Sequence, residues 1–252
     1  MKHQLFIVEG MPCCGKSTLS AFLAEVLSES CKVCYVDEGT GQHPADYEFH
    51  AYIPAEEDGG VGRIVALCDC SEEERNRLMP NKIYDGLPWK VEMPLMLDKW
   101  RQFVTNATPD TTYVFNCVLL QNPMCETMMR FGFPEETSLQ YIQQLAEIIQ
   151  PLNPVVIYLE NNHIAEAVQK AAPERPGWLD AVIAYHNEGK YGQSISAQGF
   201  DGYIACLKER QRRELRILEK LPLTSYVLED PQLDWQSARE KLRGFISQQL
   251  PQ

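Results

Sequence analysis

The sequence predicts a three-layer α/β/α protein built on a parallel five-stranded sheet, and three observations predict it. Five short apolar runs recur along the chain, at residues 5–8, 32–37, 112–120, 155–159 and 225–228. Apolar runs of this kind are what strands show when helices cover both faces of a parallel sheet. Helix-patterned segments separate the runs, and such alternation specifies helices packed on a central sheet. With 252 residues, 44% hydrophobic and 23% charged, the chain has enough material for one large core.

The first strand is Leu5-Phe6-Ile7-Val8. From Ser17 onward Leu19, Phe22, Leu23, Val26 and Leu27 recur on one helical face, and residues 32–37 return to a strand. Roughly 75 residues then separate the second strand from the third, far beyond an ordinary βα loop. This stretch is expected to be a helical, substrate-facing insertion at about 40–110. Within it Glu57-Asp58-Gly59-Gly60-Val61-Gly62 reads as a turn, Ser71 with Glu74 as a capping box, and residues 92–106 as a helix. Trp89 and Trp100 read as core or hinge aromatics. After the fourth strand, residues 170–202 look irregular and glycine-bearing, the pattern of a mobile lid. A terminal amphipathic helix covers about 235–249. No repeat, low-complexity tract or Pro/Gly/Ser-rich linker appears, so residues 1–252 are expected to form a single domain.

Composition excludes several classes. The formal net charge is −12, which repels phosphate backbones and anionic membranes, so neither nucleic acid nor membrane is expected as a partner. The apolar start of the chain breaks at Glu9, too short for a signal-peptide core. No run approaches the ~20 apolar residues of a membrane span, and the expected location is cytoplasmic. Nine cysteines, an odd number, suit reduced thiols. Cys31-Lys32-Val33-Cys34 and Cys68-Asp69-Cys70 have poor zinc spacing and read as structural thiols, so no structural metal is expected.

The chemistry lies in Gly10-Met11-Pro12-Cys13-Cys14-Gly15-Lys16-Ser17, which fits G-x-x-x-x-G-K-[ST] without a mismatch. Chance gives such a match in about one chain in a hundred of this length. It starts after a buried strand and runs into an amphipathic helix, where loop amides and the helix N-terminus converge on an anion. The glycines permit close backbone approach. Lys16 offers a point charge to β- and γ-phosphates, and the Ser17 hydroxyl can bind Mg²⁺. The bland alternative is a ligand-free glycine-rich βα turn. Cys13 and Cys14, at a helix N-terminus, are expected to have depressed pKa values.

Glu9-Gly10 through Gly15-Lys16-Ser17-Thr18 resembles the E-G-x-x-G-x-G-K-S-T opening of thymidylate kinases and deoxynucleoside kinases, within the P-loop nucleoside and nucleotide kinases. The specific likeness covers about the first 20 residues. The resemblance implies the P-loop NTPase fold with sheet order 2-3-1-4-5. It also implies ATP and Mg²⁺ as cofactors, contacts from Gly10 through Thr18, and an acceptor held by the insertion. One departure stands out: the third strand of those families ends in an acidic residue, and here that place is held by Asn116. An amide cannot act as a base, so Asp37 and Glu38 at the end of the second strand are the substitutes. A polar turn is the competing reading of that pair.

His43-Pro44-Ala45-Asp46-Tyr47-Glu48-Phe49-His50 is dense in groups that can bond hydroxyls or stack on a base. Asp46, Tyr47 and Glu48, with Asn116 and Gln121, are the candidate acceptor contacts; a helix capped by an Asp would look similar. Arg175 and Lys190 are candidate lid cations for a phosphoryl transition state. Arg210 and Arg213 are candidate phosphate contacts, although Arg210–Glu214 and Glu209–Arg213 also fit a salt-bridged exposed helix face. The function expected is an ATP-dependent kinase of a small molecule, a nucleoside or nucleotide. The alternative is a nucleotide-binding sensor, a switch or a catalytically inactive relative. A GTPase fits less well, because Asn81-Lys82-Ile83-Tyr84-Asp85 misplaces its Asp and Asp58-Gly59-Gly60-Val61 fails as a switch. A homodimer is left open.

Overall fold

The computed structural model describes residues 3–56, 59–60 and 62–249. Glu57, Asp58 and Val61, part of the expected turn and of the tested switch pattern, lie outside the described residues. The chain forms two compact units, Met1–Val36 with Ala107–Gln252, and Asp37–Asn106. In chain order the elements are β1 (Leu5–Gly10), α1 (Lys16–Ser28), β2 (Lys32–Val36), β3 (His50–Ile53), β4 (Arg63–Ala66), α2 (Glu72–Leu78) and α3 (Trp89–Asn106). They continue with β5 (Thr111–Asn116), α4 (Gln121–Met124), α5 (Glu135–Ile149), β6 (Val155–Glu160) and α6 (Ile164–Ala171). The last are α7 (Trp178–Glu188), α8 (Lys190–Ser194), α9 (Gly199–Leu218), β7 (Thr224–Glu229) and α10 (Trp235–Gln249).

In the first unit β1, β2, β5, β6 and β7 form one parallel sheet flanked by helices, with order β2-β5-β1-β6-β7. This differs in numbering from the expected 2-3-1-4-5, because the hairpin strands β3 and β4, unforeseen in the sequence, stand between β2 and β5 in the chain. Position in the sheet explains the composition of each strand. Central β1 is buried at all six residues, whereas of the edge strands β2 exposes Lys32 and Tyr35 and β7 exposes alternate residues. Leu19, Leu23, Val26 and Leu27 of α1 pack with Phe6 and Val8 of β1, Ile157 of β6, and Leu242 and Ile246 of α10. Each such side chain removed from water contributes about 1.5–3 kcal/mol.

Two further expectations are corrected. The third sheet strand stops at Asn116 rather than at 120, because Cys117 and Val118 adopt left-handed φ values of 59° and 94°, which no strand continues. The stretch 170–202, expected to be irregular, is largely helical. Two of its glycines mark helix starts instead: Gly177, at φ 75°, caps α7, and Gly189 caps α8.

In the second unit β3 and β4 pair antiparallel, and Ala51, Ile53, Leu67 and Leu78 form a small core. The Ser71–Glu74 capping box is present at the start of α2. The expected helix at 92–106 begins earlier, at Trp89, and buries Trp100 and Phe103.

Candidate functional site

The loop from Gly10 to Ser17 is shaped by backbone that only particular residues tolerate. Gly10, Cys13 and Gly15 have φ of 145°, 64° and 96°, and left-handed residues in a short turn aim successive amides into one concavity. A Cβ on Gly10 would lie 2.6 Å from the Leu159 carbonyl oxygen and 2.8 Å from Cys14 Sγ. One on Gly15 would collide with the Trp235 indole at the start of α10. Met11 is buried against Ile164, Val168, Tyr203 and Leu207, fastening the loop to α6 and α9. Cys14 is buried in the main core, Pro12 and Cys13 are half-buried, and Ser17 and Thr18 are exposed on the first turn of α1.

Lys16 is buried, and its Nζ donates to the carbonyls of Gly10 (3.2 Å) and Met11 (3.1 Å). The ammonium thus rests on the rim of its own loop. The Ser17 hydroxyl accepts from Asn116 Nδ2 at 3.0 Å, so the amide standing where the resembled families carry an acid touches the residue expected to meet Mg²⁺. Behind the loop, Glu9 is fully buried at the end of β1. Its Oε1 accepts from the amides of Leu119 (2.6 Å) and Leu120 (2.9 Å), and its Oε2 from that of Gln121 (3.1 Å). Burial pushes the Glu9 carboxyl up to about 7, helped by the charge of Glu214 and opposed by those three amides.

The α9 arginines meet partners within the first unit. Arg210 is 1% exposed and its Nε lies 3.1 Å from Oε1 of fully buried Glu214. Its Nη1 donates to Cys125 Sγ at 3.3 Å, and Tyr158 donates to Glu214 Oε2 at 2.7 Å. The i,i+4 pair forms as the spacing allows, but the expected exposed face is corrected: this pair is interior. Arg213 pairs with Glu209 (2.8 Å), donates to the Phe133 carbonyl and covers the Tyr191 ring. Arg175 is exposed and sits over Trp178, 5.3 Å from the ring centroid, with its charge felt by Cys13. Lys190 is exposed at the start of α8.

Both loop thiols have pKa values raised by burial, which outweighs the opposing charges of Arg175 and Lys16 at Cys13 and of Lys16 at Cys14. The expected depression is thereby corrected, because desolvation dominates the helix end. All nine cysteines are free, and no group of three or more His, Cys, Asp or Glu is placed to hold a metal among the described residues.

In the second unit Asp37 leads into a turn at Glu38 and Gly39, the Glu38 amide donating to Asp37 Oδ1 at 3.0 Å. The Gly39 amide donates to Glu48 Oε2 at 2.8 Å. Residues 43–50 are turns leading into β3, not the helix weighed as the alternative. Asp46 is buried, accepts from the Tyr84 hydroxyl and from the Glu48 amide (3.2 Å), while Lys99 lies 4.6 Å from the Tyr47 ring centroid. Burial lowers the His43 imidazole to about 3, with Lys99 adding to the effect. Burial raises the Glu48 carboxyl, with the like charges of Asp46 and Glu38 adding and the Gly39 amide opposing.

Glu214, Tyr158 and Trp235 were not foreseen as parts of this region, and Glu9 was read only as the first residue of the resembled motif. A carboxylate closing an otherwise apolar central strand needs internal partners. Tyr203, Leu207, Arg210, Glu214 and Ile217 also share one helical stripe, a signal that Arg210 and Glu214 belong to the buried face.

No protein-family profile matches the chain, and no curated protein matches it in sequence. One solved structure similar to it is that of the YorR protein from Bacillus subtilis in complex with phosphorylated GDP. The two chains are 12% identical, with 96% of this chain and 95% of that chain covered, at a TM-score of 0.43. A likeness at that level carries no argument about ligands. No described helix is long and apolar enough to cross a membrane.

Proposed function

We propose that the first unit binds a nucleoside triphosphate at residues 10–18 and that the protein transfers its terminal phosphoryl group to a small-molecule acceptor. The observation that carries the reading is the strand-to-helix turn itself: positive φ at Gly10, Cys13 and Gly15, no room for side chains at the two glycines, and Lys16 and Ser17 opening α1. Such a turn collects amides and a helix N-terminus around an anion. ATP is the nucleotide the sequence resemblance implies, and a nucleoside or nucleotide the acceptor.

In this reading Lys16 exchanges two carbonyl partners for phosphate oxygens, which are the stronger, charge-assisted acceptors. The residues fit Mg²⁺ through the Ser17 hydroxyl, with phosphate oxygens and water completing the shell, since Mg²⁺ retains several waters. When bound, Mg²⁺ neutralises charge on the moving phosphoryl group. Glu9 is committed to three amides and contributes no ligand. Arg175 supplies positive charge on the same side as Cys13. Asp37 or Glu38 serves as the base and Asp46, Tyr47 and Glu48 as acceptor contacts; these assignments rest on the sequence reading.

A sensor or inactive relative is the second reading, favoured by Asn116 in the place of a carboxylate. The test is ATP consumption by purified protein against nucleosides, nucleotides, sugars and aminoglycosides, beside Lys16→Ala. Acceptor-stimulated turnover that the variant lacks supports the kinase. Tight ATP binding with no stimulation by any acceptor supports the sensor.

A further inference from the structure

We propose that Glu9 is a positioning residue: by holding the strained 117–121 segment it seats Asn116 on the Ser17 hydroxyl and thereby sets the magnesium dependence of nucleotide binding. This rests on the nucleotide reading above.

The segment after β5 is costly in itself. Cys117 and Val118 are both left-handed, at φ 59° and 94°, and a β-branched residue there is a genuine outlier. Strain of this kind persists only where the surroundings over-determine it. Here one restraint is the Cys117 amide donating to the Val8 carbonyl at 2.8 Å. Another is the Glu9 carboxylate, which gathers the amides of Leu119, Leu120 and Gln121 at 2.6, 2.9 and 3.1 Å.

Asn116 is the last residue before the bend, is fully buried, and donates Nδ2 to Ser17 Oγ at 3.0 Å. That bond uses one lone pair of the hydroxyl and fixes the direction of the other, the one a cation would take. The two clamps therefore act in series, Glu9 on the bend and Asn116 on Ser17. The phosphate-facing amides of residues 13–16 are not part of this relay. Loss of Glu9 is consequently felt by the metal more than by the phosphates.

Glu9→Gln is the apt variant, because its side-chain oxygen still accepts from Leu119 and Leu120 while an NH₂ faces the Gln121 amide. Asn116→Ala breaks the other end of the relay and stands in should Glu9→Gln fail to fold. ATP affinity is measured by calorimetry with and without Mg²⁺, and amide exchange is followed across 117–121. In both variants the Mg²⁺-free affinity is expected within about twofold of wild type, while the Mg²⁺-dependent gain falls about tenfold, the scale of one charge-assisted bond. The Gln121 amide should exchange at least about tenfold faster in Glu9→Gln alone. An unchanged magnesium increment overturns the proposal, as does an equal loss with and without the metal or a wild type whose amides at 119–121 are unprotected. A wild type that binds no ATP under either condition overturns the nucleotide reading instead.

Discussion

Replacing Arg210 by Met tests whether α9 uses its arginine internally or presents it to a ligand. Arg210 and Glu214 are 1% and 0% exposed, with Nε and Oε1 3.1 Å apart. The variant leaves the Glu214 carboxylate the Tyr158 hydroxyl at 2.7 Å and the more distant charge of Lys16. Removing one partner of a buried pair costs about 3–5 kcal/mol, because the remaining charge is uncompensated. Against a total stability of about 5–15 kcal/mol, this lowers the melting temperature of the first unit by about 6–20 °C. The loss also depends on pH. Burial already raises the Glu214 carboxyl, against the opposing charge of Arg210, and without Arg210 it rises further. The penalty is therefore larger at pH 8 than at pH 5.5 and shrinks as acid neutralises Glu214. Arg210→Met/Glu214→Gln, with no charge left to bury and an amide oxygen still accepting from Tyr158, should recover most of that loss and keep its ATP affinity. Scanning calorimetry and urea titration at pH 5.5 and 8, with ATP titrations on the double variant, provide the readouts. A single variant losing less than about 1 kcal/mol, or a double variant no more stable than the single, would refute the argument. Loss of ATP binding in a stable double variant would return Arg210 to the phosphates.

Three further outcomes follow from particular contacts. Gly15→Ala should cost about 2–4 kcal/mol, combining a left-handed φ with a clash against Trp235; Trp235→Ala should relieve part of it, and simple additivity in the double-mutant cycle would contradict this. In the second unit, His43 is held neutral, with its pKa lowered from 6.5 to about 3. A depressed folded pKa gives stability that is present above 6.5 and drains away as pH falls toward 3, so going from pH 7 to 5 should remove about 2 kcal/mol. His43→Asn should flatten that slope in urea titrations, and an unaltered slope counts against it. Half-buried Cys13 should alkylate slowly at neutral pH, faster as pH rises, and be protected by ATP, while buried Cys14 resists; mass spectrometry showing equal modification with and without ATP would disprove the protection.

Local pattern in the sequence determined a good deal. The five sheet strands, the α1 face of Leu19, Leu23, Val26 and Leu27, the Ser71–Glu74 cap and α10 follow from periodicities and hydrogen bonds that span a few residues. The loop at 10–17 was equally legible, because glycine, lysine and serine at those offsets act through backbone close at hand. What tertiary structure alone decided involves partners far apart in the chain. Glu9 meets amides 110 to 112 residues away, Asn116 meets Ser17 across 99, and Tyr158 meets Glu214 across 56. Composition also gave no warning that the third strand would end in a left-handed bend at Cys117 and Val118, since valine favours strands. Nor could it say that the loop thiols would be governed by burial. Desolvation depends on which atoms surround a group, and those atoms come from every layer of the fold.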